Sequence, residues 1–166
     1  MKKEEFTFKA IGIIHSPHKE TKKTPIQPVF SKNITGRVEL FDEYLDGLKD
    51  LQAFSHIYLF YYFDRSIKTK LQLAPYLSDD EKGIFATRAP HRPNKLGMSL
   101  VRLDKIKENI LYVRDLDILD GTPLLDIKPY IQRFDSRDDS KSGWQEDVND
   151  ETASIRGKRD FNKKNE

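Results

Sequence analysis

The chain of 166 residues contains no cysteine, so it has neither disulfide bonds nor thiolate groups for catalysis or metal binding. It also lacks any apolar run near the roughly 20 residues that a membrane-spanning helix requires. Its first residues, MKKEEFTF, do not contain the apolar stretch of a signal peptide. These absences favour a cytoplasmic protein, and we expect no association with a membrane.

Several motifs of nucleotide and catalytic sites are also missing. No GxGxxG follows a predicted strand and no GxxxxGK[ST] occurs, so neither a Rossmann dinucleotide site nor a phosphate loop is expected. There is no GxSxG nucleophile elbow. The four histidines lack HExxH spacing, and we therefore expect no metal site.

Charge is abundant but unevenly distributed. The formal net charge is +2, which divides into +4 for residues 1–134 and −2 for residues 135–166. With 37% hydrophobic residues in the whole chain, the first part can bury the core of one domain. Its mild basicity is compatible with an anionic partner.

Short runs of β-branched and aromatic residues, separated by turn residues, predict a mostly β protein. The predicted strands are residues 8–15, 35–40, 55–63, 83–87, 99–103, 109–116 and 124–127. Six or seven strands of this length are typical of a β-barrel with helical additions.

One helix and a tail complete the predicted organisation. Residues 42–51 are predicted to be helical with Asp42 as N-cap, because Leu45, Leu48 and Leu51 share one face. The barrel domain is expected to span residues 1–144. Residues 145–166 are polar and are predicted to be a mobile tail.

The stretch ATRAPHRPNKLGMSLVRL (86–103) concentrates positive charge on a proline-stiffened loop. Arg88, Arg92 and Lys95 are suited to hold an anionic ligand or an RNA backbone, since arginine binds carboxylates and phosphates in bidentate fashion. A solvated loop whose arginines pair with distant carboxylates explains the same residues, and both interpretations stay open here.

Acidic residues cluster further along the chain. Asp115, Asp117 and Asp120 are suited to accept hydrogen bonds from a ligand amine or from ribose hydroxyls, although a solvent-facing turn explains them as well. Asp126 and Lys128 are two residues apart, so they share one face of a strand. They form either a general base beside an ammonium group or a structural ion pair.

The order and spacing of six blocks are more specific than any single motif. The blocks are IGIIHSPHK (11–19), PIQP (25–28), LQAFSHIYLFYYFDRS (51–66), GIFATRAPHRPNKLGMSLVRL (83–103), LDILDGTPLLDIKPYI (116–131) and FDSRDDSKSGW (134–144). Together they closely resemble the TsaA-like family, the TrmO family of tRNA adenine-37 N6-methyltransferases, over about residues 6–144.

This resemblance implies a single-sheet β-barrel with one or two helices, S-adenosylmethionine as cofactor, and a homodimer. It implies methylation of N6 of threonylcarbamoyl-adenosine at position 37, in the anticodon loop of tRNA. It also assigns the cofactor pocket, by matching positions, to Pro25, Ile26, Gln27, Asp64, Arg65, Arg88, Met98, Asp115, Leu116 and Asp117. Two positions depart from the family pattern: some members have His-Gln at Asp64-Arg65, and Pro-Ile is usual at Lys95-Leu96.

Catalytic and RNA-binding roles follow from placement within the matched blocks. Asp126 is the candidate base for the N6 proton, and Lys128 is the candidate for holding the carboxylate of the substrate. His91, Arg92 and Lys95 are expected to face the RNA, whose anticodon loop is the kind of unstacked element that proteins read. Two alternatives stay open: a non-enzymatic RNA-binding β-barrel, and a methyltransferase acting on another small acceptor.

Overall fold

A closed barrel of six antiparallel strands forms the body of the computed structural model, which describes residues 4–157. The strands are β1 (Gly12–His15), β2 (Thr35–Leu40), β3 (His56–Tyr62), β4 (Gln72–Leu73), β5 (Lys82–Gly83), β6 (Leu96–Lys107), β7 (Ile110–Arg114) and β8 (Thr122–Pro129). The barrel order is β1-β2-β7-β6-β3-β8, and β8 closes it by pairing with β1. β4 and β5 form a separate two-stranded sheet. The predicted mostly β, single-sheet barrel is therefore confirmed.

Alternating side chains along the strands fill the barrel. On β3, Ile57, Leu59 and Tyr61 are buried inside, whereas Tyr58 and Phe60 point outward. Each strand of the barrel contributes to the same core. The cluster consists of Ile14, Val38, Leu40, Ile57, Leu59, Tyr61, Val101, Leu103, Leu111, Val113, Leu116, Ile118 and Leu124.

The predicted helix at residues 42–51 is wrong in type and in its cap. The segment forms two 3-10 helices, Asp42–Leu48 and Leu51–Ala53, and Phe41 rather than Asp42 occupies the N-cap position. The leucine spacing of three residues fits the three-residue turn of a 3-10 helix as well as an α-helical face. Asp50 has a φ of 65°, which interrupts the helical path between the two segments.

The predicted strand at residues 83–87 is also wrong. Only Lys82–Gly83 is extended, and Ile84–Ala86 is a 3-10 helix closed by a hydrogen bond from the Thr87 amide to the Ile84 carbonyl. In this segment Ile84 is buried while Phe85 is exposed, so the apolar run does not represent a strand within the core. The prediction for 99–103 was too short, because β6 continues from Leu96 to Lys107.

The residues after the barrel fold into further helices. These are α1 (Gln132–Asp135), a 3-10 helix (Gly143–Asp147) and α2 (Asp150–Arg156). The Asn149 side chain accepts a hydrogen bond from the Thr152 amide and caps α2. The predicted tail therefore starts with ordered helical turns; its mobility stays a prediction, and residues 158–166 lie outside the described part. Among residues 4–157, no helix is long and apolar enough to cross a membrane.

Candidate functional site

A cavity of about 1070 Å³ lies beside the end of β3, and we call it the main cavity. Its walls come from the loop after β1, the loops on either side of β4 and β5, the Asp117–Leu119 segment and the residues after α1. A side cavity of about 290 Å³ shares Ile26, Gln27, Arg88 and Asp117 with it. Small-molecule sites occupy about 300–1,000 Å³, so the main cavity is large enough for a nucleoside-sized ligand.

Most of the residues assigned to the cofactor pocket meet at these cavities, although they come from separate blocks of the sequence. Those that line the main cavity are Ile26, Gln27, Asp64, Arg65, Arg88 and Asp117, and Met98 lines the side cavity. The other three lie elsewhere. Pro25 is buried and Leu116 belongs to the barrel core, while the Asp115 carboxylate accepts a hydrogen bond from the Asn33 amide.

Gln27 and Arg88 link two walls of the main cavity. A guanidinium nitrogen of Arg88 donates to Gln27 Oε1 at 2.8 Å. Arginine carries five N–H donors in a planar fork, so this bond orients the group and leaves donors for a ligand. Arg65 lies in the same cavity, 3.6 Å from the Asp64 carboxylate.

A buried hydrogen-bonded chain reaches the cavities from inside the barrel. Ser99 Oγ donates to Asp117 Oδ1 at 2.7 Å, and the Tyr61 hydroxyl lies 3.1 Å from Ser99 Oγ. The acidic residues Asp64 and Asp117 both line the main cavity. Asp117 is 7% exposed, whereas the side chain of Asp64 is 34% exposed. Asp117 is thus a carboxylate held in a fixed orientation with little contact to solvent.

The three acidic residues that the sequence grouped have different positions. Asp115 holds a turn and Asp117 lines the cavities. Asp120 accepts hydrogen bonds from Lys19 Nζ and from the Ser16 amide. The bond from Lys19 is the largest cause that lowers the pKa of Asp120, although partial burial opposes it. Asp120 therefore fastens the DGTP turn to the segment after β1 and does not line either cavity.

Asp126 and Lys128 lie outside both cavities, as an ion pair with a separation of 3.0 Å. They are opposite Phe60 and Tyr58 on the outer face of the barrel. The β3–β8 register shifts between Phe60 and Tyr61, and such an irregularity exchanges the faces of the residues that follow. The catalytic roles of Asp126 and Lys128 stay predictions, without support from their position.

The three residues assigned to RNA are separated as well. His91 lines the main cavity, and its Nδ1 lies 3.2 Å from the Lys68 carbonyl. Arg92 lines the side cavity but donates to the carbonyls of Ile84 and Thr87 at 3.1 and 2.7 Å. Arg92 therefore holds the loop together. Lys95 lines neither cavity.

A family model described as "tRNA-methyltransferase O N-terminal domain" matches residues 13–136. The chain belongs to the TrmO family. A probable S-adenosyl-L-methionine-binding protein of Pyrococcus abyssi is 55% identical over 139 residues, which are 84% of this chain and 76% of that protein. The tRNA (adenine(37)-N6)-methyltransferase of Escherichia coli is 37% identical and aligns with 84% of this chain and 63% of its own length.

Solved TrmO structures have the same fold. The crystal structure of TrmO from Pseudomonas aeruginosa superimposes with a TM-score of 0.72 at 34% identity, covering 85% of this chain and 63% of that one. This chain thus spans less than two thirds of the length of the E. coli relative and of that structure. Residues 13–136, which the family model matches, contain strands β2 to β8, most of β1 and the loops that supply most of the cavity lining.

Sequence reasoning missed two residues of this TrmO-family site, Tyr61 and Ser99. Tyr61 lies within the predicted strand 55–63 and Ser99 begins the predicted strand 99–103, and neither was assigned to the site. The alternation of residues along β6 could have indicated Ser99. Gly97, Ser99 and Val101 all face inward, and Ser99 has the only polar side chain of the three. A polar side chain inside a barrel needs a hydrogen-bond partner, and Asp117 is that partner.

Proposed function

We propose that this protein is an S-adenosylmethionine-dependent tRNA methyltransferase that modifies N6 of adenosine 37. The observation that carries the proposal is the main cavity, where Gln27, Arg88 and Asp117 from three distant blocks converge in a chain of the TrmO family. The names of the relatives support both the cofactor and the tRNA substrate.

The residues present fit this cofactor. Arg88, oriented by Gln27, is suited to its carboxylate, and Asp64 to its amino group or ribose hydroxyls. Apolar contact for the cofactor is available from Ile26, Tyr61 and Phe63. When bound, S-adenosylmethionine supplies a methyl group on a positively charged sulfur.

The contribution of the protein is alignment and proton removal. When the acceptor nitrogen and the methyl donor are held in line, no bimolecular encounter is needed, and the free-energy barrier to methyl transfer is lower. The nitrogen that gains the methyl group loses a proton, which Asp117 is placed to accept because it is buried, fixed by Ser99 and open to both cavities. Asp117 is therefore a better candidate for the base than Asp126.

The finer proposal is that the substrate adenosine carries the threonylcarbamoyl group. This group ends in a carboxylate, so its site needs a cation besides the one that holds the cofactor. In addition to Arg88, the lining of the main cavity includes Arg65, Lys70 and Lys141. That surplus of positive charge supports a second anionic group in the same cavity.

Methyl transfer from labelled S-adenosylmethionine to unfractionated tRNA tests the proposed function. We expect label in tRNA together with heat of S-adenosylmethionine binding in calorimetry. RNA binding without that heat would instead indicate a non-enzymatic barrel. Heat without labelled tRNA would indicate another small acceptor.

Lys95 provides a test of the RNA face. Lys95→Gln is expected to weaken tRNA binding and to reduce the slope of log K against log salt concentration by about 0.7, the value for one phosphate contact on single-stranded RNA. The matched control is Lys107→Gln, an exposed lysine at the other end of β6. Equal slopes for Lys95→Gln and the unaltered protein would remove Lys95 from the interface.

We also propose a homodimer in the cytoplasm, as the family resemblance implies. Support comes from Tyr62 and Leu96, paired on neighbouring strands, and from Met98, which are 37%, 46% and 41% exposed on the outer face of the barrel. Grouped apolar side chains of this kind mark interaction surfaces. Sedimentation velocity is expected to show twice the monomer mass, and a single species of monomer mass would contradict the dimer.

A further inference from the structure

The residues that follow α1 form one wall of the main cavity. This C-terminal segment (residues 141–157) lies beyond the family match, which ends at residue 136. Its side chains in the lining are Lys141, Ser142, Trp144, Gln145, Val148 and Ala153. The cavity is therefore completed by residues that follow the family-model match, of which only 141–144 belong to the six sequence blocks.

Three contacts fasten the segment across the cavity. Trp144 Nε1 donates to the Ala86 carbonyl at 2.8 Å, and the Ile26 amide donates to the Gly157 carbonyl at 3.1 Å. Arg156, which is 9% exposed, pairs with Asp79 at 3.2 Å. A Cβ at Gly157 would lie 2.6 Å from Phe30 Cδ1, so the end of the segment is closely packed.

The first two contacts lie next to the residues that join the cavity walls. Ile26 precedes Gln27, and Ala86 is two residues before Arg88, so the segment bridges both partners of the Gln27–Arg88 hydrogen bond. Trp144 is half-buried, and its position is fixed by its own hydrogen bond. A fixed indole in a cavity wall is a flat apolar surface suited to stack on a purine ring.

We propose that the C-terminal segment belongs to the cofactor site, with Trp144 as the surface for the adenine ring of S-adenosylmethionine. The Asp79–Arg156 pair positions this surface and does not touch the ligand. The inference rests on the proposed function, since it assumes that the main cavity binds this cofactor. It adds a binding residue and a positioning pair that the resemblance did not assign.

Trp144 is the single tryptophan of the chain, so tryptophan fluorescence reports directly on this wall. Titration of the full-length protein with S-adenosylhomocysteine is expected to change the fluorescence saturably, with the same Kd as calorimetry. Trp144→Ala should raise the calorimetric Kd at least about fivefold, as loss of one stacking contact does. Trp144→Phe should retain most of the affinity.

The positioning pair has its own readout. Arg156→Asp should shift the Trp144 emission of the ligand-free protein to the red and raise the Kd, and the double swap Asp79→Arg with Arg156→Asp should partly restore both. Arg137→Asp, at an exposed arginine before the segment, is the control and should change neither. A partial rescue also separates this effect from a general failure to fold.

The outcomes separate the inference from the function on which it rests. Calorimetric binding with unchanged fluorescence and an unchanged Kd for Trp144→Ala would overturn the inference and leave the proposed function standing. A fluorescence response to tRNA without any response to S-adenosylhomocysteine would also overturn it. No binding of S-adenosylhomocysteine or S-adenosylmethionine at any concentration tested would overturn both.

Discussion

Asp117→Asn is expected to lower methylation of tRNA at saturating cofactor and tRNA by at least about 100-fold, the lower range for loss of a general base. Asparagine keeps the size of the side chain and can still accept the Ser99 hydrogen bond, so the cavity keeps its shape. It cannot take up the proton that leaves N6. The measurement is the single-turnover rate, accompanied by the calorimetric Kd for S-adenosylmethionine.

The matched control is Asp126→Asn, at the carboxylate that the sequence placed in the base role. Asp126 is half exposed and paired with Lys128 on the outer face. Its replacement should change the methylation rate less than about threefold, because an exposed ion pair has only a small electrostatic effect on the chemical step. A rate loss for Asp117→Asn at unchanged Kd assigns the base, whereas a loss of affinity alone assigns Asp117 to the cofactor. An unaltered rate and Kd for Asp117→Asn, or a large loss of rate for Asp126→Asn alone, would refute the assignment of Asp117 as the base.

Gly97→Ala is expected to lower the free energy of unfolding by about 1–3 kcal/mol, the usual cost of overpacking a core. An added Cβ would overlap the Tyr61 ring, 2.5 Å from its Cζ and closer still to Cε2. Tyr61 is 6% exposed and pairs with Gly97 across β3 and β6, so the ring has little space to move. Its displacement would also separate the Tyr61 hydroxyl from Ser99 and lower activity.

Denaturant unfolding at constant m-value measures this cost. Gly47→Ala is the control, because a Cβ there meets nothing within 4 Å and the change should be neutral or slightly stabilising. In a Tyr61→Leu background, Gly97→Ala should cost clearly less, as expected for residues in direct contact. Equal effects of the two alanine substitutions would show that the barrel accommodates the extra methyl group.

The sequence predicted those parts of the fold that depend on local patterns. The β3 strand was recognisable because a run of apolar and aromatic residues is a property of neighbouring positions. The 3-10 helix at Asp42–Leu48 was not, since the same leucine spacing fits two helix types. The return of the C-terminal segment was hidden because its anchor, Arg156, pairs with a residue 77 positions away.

In the candidate site, too, some features could be predicted from the sequence and others depend on the folded structure. Family resemblance located Gln27, Arg88 and Asp117, which the structure brings to one cavity. It could not show which carboxylate faces inward, because that depends on the register shift between Phe60 and Tyr61 in the β3–β8 pairing. Side-chain direction in a strand reverses with a single inserted residue, so sequence spacing alone could not show that Asp126 lies on the outer face of the barrel.

Nucleoside mass spectrometry of a tRNA that carries threonylcarbamoyl-adenosine tests the central claim most directly. After incubation with the full-length protein and S-adenosylmethionine, the digest should contain threonylcarbamoyl-adenosine with one added methyl group on N6, and Asp117→Asn should abolish that product. If the modified nucleoside stays unmethylated while the protein binds both S-adenosylmethionine and tRNA, the proposed reaction is wrong.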